Sequence, residues 1–190
     1  SARPAEAAIA FVKNVGTAGS RNTGTTLSIN VSAAGVAAGN TVIVGFTINP
    51  VAGAVSCTDS RSNVYQCTDA DVQNGTSDSA IGLRTVVCSG HVGTALLGGD
   101  TILVTHPSER ARAMSVIEFS GISASGRLDQ STTGMGTSDA PSAGPTGTTS
   151  QSDELVLGMM SWEAKTSTWG APGAGYTLGA IGTSGNPAAP

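Results

Sequence analysis

"TTLSINV", residues 25–31, sets Leu27, Ile29 and Val31 on one side of an extended chain and Thr26, Ser28 and Asn30 on the other. A period of two is the mark of a strand with one face in a core and the other turned away from it. The same alternation returns in "RAMSVIEFS", residues 112–120, where Met114 and Val116 oppose Ile117 and Phe119. Outward from these two segments, strand patterns are predicted near 8–14, 25–31, 40–48, 53–58, 63–68, 80–88, 100–106, 112–120, 127–131, 144–150, 153–161 and 175–179. Each is flanked by Gly, Asn, Asp, Ser or Pro. Short strands in such close succession, with no amphipathic helical pattern between them, predict an all-β fold. The expected architecture is an antiparallel two-sheet sandwich, jelly-roll or Ig-like.

Composition agrees with strands and turns. Charged residues make up 12% and aromatic residues 4% of 190 residues, the lysines are Lys13 and Lys165 alone, and Gly, Ala, Ser and Thr dominate. Helix formers are scarce. The length suits one domain spanning 1–190, with 1–7 as an extended N-terminal segment and 180–190 as a C-terminal tail. The segment 33–40, "AAGVAAGN", reads as a loop or a single helical turn, and 132–150 as an exposed loop followed by an edge strand. A net charge of −4, with dispersed arginines, argues against nucleic acid as a partner. No apolar run has the length of a bilayer span, so no membrane insertion is expected. The opening "SARPAEAAIAF" lacks a basic region followed by an apolar one, which implies an export signal already removed or not included.

Cysteines stand at 57, 67 and 88, too few for a four-ligand zinc site, and neither histidine lies in a metal-binding spacing. A disulfide is the better reading, and it points to an oxidising, secreted or extracellular-surface location. In "CTDSRSNVYQC", residues 57–67, a polar turn over Asp59 to Ser62 would make a hairpin that sets Cys57 opposite Val64. Cys67 would then meet Cys88 across the next, longer hairpin, leaving Cys57 as the odd thiol.

Several phrases in order, "TDSRSNVY", "GGDTILVTH", "MSVIEFSGI", the stretch from "LDQSTT" to "DELVLGMMS", and "PGAGYTL", span roughly residues 8 to 178. Together they resemble a type of β-sandwich module found in bacterial secreted, surface-attached and phage-tail-associated proteins, whose phrases run DSxGNxY, GDTITVTF, EFSG, DELVLG and PGxGYT. The resemblance implies an accessory module beside catalytic or adhesive domains, and brings no catalytic residues with it. Two departures stand out. Ser62 occupies the place where such modules have glycine, and the strands that usually follow "GYT" are replaced by "LGAIGTSGNPAAP". The final strands are therefore expected to be cut away or supplied by another chain, leaving a sheet edge open to strand addition.

Chemical candidates are few. Asp69, Asp71, Asn74 and Asp78 in "DADVQNGTSD" offer oxygens for calcium, though not at EF-hand spacing, and the competing reading is a solvated hairpin loop. No other cofactor is expected. Asp59 with Asn63 reads as a turn cap. His91, His106, Ser108 and Glu109 supply types used in nucleophilic catalysis, but "THPSER" reads more simply as a loop. Glu118, Asp153, Glu154 and Glu163 could be paired as glycosidase carboxylates; for Glu118, on a face with Met114 and Val116, a hydrogen bond to a neighbouring strand or to Arg112 is expected instead. Tyr65, Trp162, Trp169 and Tyr176 could stack on a sugar, while Phe11, Phe46 and Phe119 are assigned to the core. The sequons at Asn30 and Asn74 matter only in a eukaryotic secretory route. The expected function is a non-enzymatic extracellular structural or adhesive module that associates with itself or with neighbouring surface domains. The alternative is a glycan-binding accessory module using the exposed rings.

Overall fold

The period-two segments find their partners far along the chain. The computed structural model describes residues 8–75, 82–138, 140–163 and 170–185, with Asp69 described by its backbone alone. Among these residues there are eight strands: β1 (Ala10–Ser20), β2 (Gly24–Asn30), β3 (Thr41–Ile48), β4 (Ser56–Asp59), β5 (Tyr65–Asn74), β6 (Leu83–His91), β7 (Thr101–Glu109) and β8 (Arg112–Ser120). They form two antiparallel sheets, ordered β1-β8-β3-β6-β5 and β2-β7-β4. The first strand pairs with the eighth, the second with the seventh and the third with the sixth. This nesting is that of one long hairpin rolled up on itself, which is a jelly roll.

Residues 57–67 lie at the tip of that rolled hairpin. Here the expected local hairpin is not what forms: β4 pairs with β7 in the smaller sheet, whereas β5 pairs with β6 in the larger one. The turn thus carries the chain from one sheet to the other. Its two flanking strands face each other across the core without a ladder between them.

Alternation is translated directly into layers. On β3, Val42, Val44, Phe46 and Ile48 are buried inward, matched by Val86 and Cys88 on β6 and by Met114 and Val116 on β8. Leu27, Ile29, Ile102 and Val104 close the core from the smaller sheet. At one end of the sandwich, the loops before β3 and β7 clasp each other through Val36 and Leu96, both buried, each donating its N–H to the other's carbonyl at 2.8 and 3.0 Å.

Of the twelve expected strands, the last four (127–131, 144–150, 153–161 and 175–179) are not strands among the described residues. The physical reason lies in where this segment runs. It crosses the outer face of the five-stranded sheet rather than lying along an edge, so its backbone has no ladder to join. Contacts to small or polar residues on that face hold it instead. Arg127 Nε donates to Ser89 Oγ at 3.2 Å, the Ser161 and Thr47 hydroxyls hydrogen-bond, and Ala180 N–H donates to Asn14 Oδ1 at 3.1 Å. Gly45 of β3 leaves room for Met159 there: a Cβ at that position would meet the Met159 sulfur, and the flexible end of that side chain would have to shift.

Phe46 and Phe119 are buried as expected, but Phe11 is 52% exposed. It sits on β1, at the edge of its sheet, and meets Phe119 only edge to face, with ring centroids 6.0 Å apart.

Candidate functional site

The turn at the tip is organised by a single carboxylate. Asp59 Oδ1 accepts the backbone N–H of Arg61 at 2.9 Å and of Asn63 at 3.1 Å, while Oδ2 accepts Asn63 Nδ2 at 2.9 Å and the Tyr65 hydroxyl at 3.0 Å. Asn63 in turn donates to the Thr94 carbonyl and accepts the Thr94 N–H, both at 2.9 Å. Beside it, Asp100 takes hydrogen bonds from Arg61 Nε at 2.6 Å, Leu97 N–H at 2.6 Å and Ser60 Oγ at 2.9 Å. The Arg61 hydrogen bond, ahead of those from Leu97 and Ser60, holds the Asp100 carboxyl below the usual carboxylate range. The carboxylates of Asp59 and Asp100 are therefore both engaged by their own loop or by the neighbouring one. That is turn capping, and it tethers the tip to the loop before β7.

Tyr65 belongs to this scaffold. Its ring lies over Gly90, directly opposite in the β5–β6 register, where a Cβ would strike the ring at 2.6 Å. Its hydroxyl reaches Asp59, and burial, then the nearby Asp59 charge, pushes its pKa upward. Of the other rings proposed for stacking, Trp162 and Tyr176 are exposed on the segment after β8, and Trp169 lies outside the described residues.

Cys67 and Cys88 are joined in a disulfide. The bond spans a bulge in which β5 places three residues, Cys67 to Asp69, between the pairs Gln66–Ser89 and Ala70–Val87, whereas β6 places Cys88 alone. A structural disulfide fits an oxidising environment. Cys57 is free and buried on β4, in the opposite sheet, and its thiol is pushed up to about 12 by burial and then by the Asp59 charge.

The residues proposed for calcium do not gather as a loop. β5 continues to Asn74, so Asp69, Asp71 and Asn74 are strand positions. The carboxylate of Asp71 is held by Arg84, with Nε to Oδ1 at 2.9 Å and the second terminal nitrogen to Oδ2 at 2.7 Å. Asn74 Nδ2 donates to the Gly136 carbonyl at 3.4 Å, and Asp78 lies outside the described residues. Among the described residues, no three His, Cys, Asp or Glu side chains are grouped as metal ligands would be.

The catalytic types are dispersed in the same way. His106 faces inward from β7, stacked on Phe46 at 5.2 Å, while Ser108 is exposed. Burial lowers the His106 pKa, opposed by its contact with the Pro107 carbonyl at 2.7 Å. The strand ending expected before Pro107 comes later, because β7 runs on to Glu109, so His106 is a strand residue and not an exposed loop histidine; Pro107 is tolerated because the β2–β7 ladder is interrupted there, between the pairs Thr26–Thr105 and Gly24–Glu109. Glu163 accepts the Gly82 N–H at 2.8 Å, on the segment that crosses the outer face.

Glu118 is different. It is 1% exposed, and of the two expected partners, a neighbouring strand or Arg112, it meets the first: Lys13 Nζ of β1 lies 3.2 Å from Oε2, while Oε1 accepts Asn40 Nδ2 at 2.6 Å and the Ala37 N–H at 3.0 Å. Arg112 points to the other end of β8, where it donates to the carbonyls of Asn22, Glu109 and Arg110. Neither Lys13 nor Asn40 is conspicuous in the sequence. The one available signal is that Lys13 is a lysine within an otherwise strand-like segment of a chain with two lysines.

Compared with protein-family models, curated proteins and solved structures, the chain matches none.

Proposed function

We propose that the chain is an extracellular structural or adhesive module that works by packing on copies of itself or on a neighbouring domain of the same surface assembly, without catalysing a reaction. The resemblance to sandwich modules of bacterial secreted, surface-attached and phage-tail-associated proteins supports this reading, and so does the disulfide. The observation that carries it is the edge strand β1. Among the described residues it has a hydrogen-bonded strand neighbour on one side only, β8, and it displays Phe11 at 52% and Val12 at 42% exposure. Apolar residues beside an unpaired ladder are what strand addition or sheet packing uses. Asp59, Asn63, Tyr65 and Asp100, by contrast, are engaged in holding loops together.

Sedimentation velocity over a concentration series tests the reading, comparing the chain with a Phe11→Ser, Val12→Lys double variant. Association that the double substitution abolishes is the expected result. A sedimentation coefficient independent of concentration for the unaltered chain overturns self-packing. Saturable binding of an oligosaccharide, lost in Trp162→Ala or Tyr176→Ala, would move the assignment to the glycan-binding alternative.

A further inference from the structure

We propose that Lys13 and Asn40 join through a covalent side-chain amide in the folded protein, with Glu118 carrying the proton. The placement comes from three neighbouring elements at one level of the larger sheet. Lys13 on β1 is registered directly against Glu118 on β8, and on the other side of Glu118 lies Val42 of β3, two residues after Asn40. The amine and the carboxamide consequently sit on the two oxygens of one carboxylate, Asn40 Nδ2 at 2.6 Å from Oε1 and Lys13 Nζ at 3.2 Å from Oε2. The site is desolvated around the acid, whose side chain is 1% exposed, and the lysine side chain is 27% exposed. Lys13 Nζ also donates to the carbonyls of Ala34, at 3.3 Å, and Gly35, both in the loop that ends at Asn40.

An ion pair alone explains the lysine and the glutamate. It does not call for a carboxamide on the same carboxylate, whose Oε1 already receives the Ala37 N–H. The three groups together can carry out an exchange that none can perform in water. As the first step of the exchange, Lys13 Nζ passes a proton to the Glu118 oxygen 3.2 Å away, giving an amine and a carboxylic acid. The Lys13 nitrogen lone pair attacks Cγ of Asn40, forming the Nζ–Cγ bond. The Glu118 acid protonates the Asn40 nitrogen, and the Cγ–Nδ2 bond breaks with its electron pair on that nitrogen. The proton left on the new amide nitrogen passes to the Glu118 carboxylate and on to the departing ammonia, which leaves as ammonium. One alkylammonium and one primary amide become one secondary amide and one ammonium ion, the Glu118 carboxylate is regenerated, and no oxidant or cofactor is needed. Fixed orientation supplies the rate, since effective molarities for well-placed intramolecular partners reach about 10⁵–10⁸ M.

The test is the intact mass of the purified full-length chain, denatured and reduced, followed by tryptic mapping. The expected result is a mass short by one ammonia, with no cleavage at Lys13 and a branched peptide joining the Lys13 and Asn40 segments. Lys13→Arg, which keeps the positive charge on Glu118, is expected to restore the full mass. Glu118→Gln, nearly isosteric but unable to carry the proton, should do the same while circular dichroism shows a folded sheet protein. The full sequence mass in the unaltered chain overturns the proposal. So does an ammonia-short mass that maps to a cyclic imide at an asparagine with Lys13 still cleavable. If Glu118→Gln fails to fold, the unaltered chain and Lys13→Arg decide the matter by mass alone.

Discussion

Replacing both cysteines of the Cys67–Cys88 bond by alanine removes a cross-link between residues 21 apart in sequence. In the chain-entropy treatment, releasing a loop of that size from the unfolded ensemble costs the native state about 3 kcal/mol. The location makes this more than a general estimate. The bond closes the three-residue bulge of β5, an edge strand, at the point where its ladder to β6 is interrupted. Without it, that half of β5 keeps the Gln66–Ser89 and Tyr65–Gly90 pairs, and the other half keeps the Arg84–Asp71 bridge. The assay is equilibrium urea unfolding followed by intrinsic fluorescence. With a slope of about 2 kcal/mol per molar, the midpoint should fall by about 1.5 M. Adding reductant should lower the midpoint of the unaltered chain by a similar amount and leave the double variant where it is. A shift under about 0.3 M, or a midpoint of the unaltered chain indifferent to reductant, would refute the argument that this bond holds the edge strand.

Three further outcomes follow from the same geometry. Cys57 and Tyr65 both have pKa values raised by burial and by the charge of Asp59, so each binds its proton more tightly folded than unfolded. Stability should hold up to about pH 9 and then fall by as much as about 1.4 kcal/mol per pH unit for each group that titrates in the unfolded chain; Cys57→Ala, whatever its baseline cost, should flatten the first part of that decline, and an unaltered slope in thermal melts would count against it. His106 has a lowered pKa, so stability should be complete above the unfolded value near 6.5 and decline as pH falls below it; His106→Phe, keeping the stack on Phe46, should remove that limb between pH 6.5 and 5, and a persisting limb would exclude His106 as its source. Ser62 adopts a left-handed backbone with φ of 61°, and Ser62→Gly should raise stability by about 0.5 kcal/mol after the greater flexibility of unfolded glycine is subtracted; a loss in urea unfolding would refute the strain argument.

Where the side chains alternate without interruption, the fold was legible before any coordinates. Leu27, Ile29 and Val31, or Met114 and Val116, could only be buried together on one face of a strand. The disulfide was legible because three cysteines leave few pairings, although the hairpin used to derive it does not form and Cys57 is excluded by lying in the other sheet. The segment after β8 was misread because "LVLGMM" and "GYTL" have the composition of strands. Composition does not say whether a chain runs along a sheet edge, where it can pair, or over a sheet face, where it cannot. Tyr65 looked available to a ligand because the sequence does not reveal that Gly90 clears a seat for its ring. The Glu118 cluster was hidden for a different reason: Asn40 is 78 residues from Glu118, and only the β1-β8-β3 order makes neighbours of Lys13, Glu118 and Asn40.

The pairing of β1 with β8 also bears on how the protein is made. A chain emerging from the ribosome presents β1 before the other seven described strands, yet β8, the strand it pairs with, becomes available only after Ser120 has been synthesised. For that interval a strand bearing Phe11, Val12 and Val15 has no sheet to join, and contacts of such wide sequence separation close slowly. Lys13, in the middle of this apolar run, places a charge where nascent chains would otherwise aggregate side by side. The residue that guards the waiting strand during synthesis is the one later drawn against Glu118 when the sheet is complete.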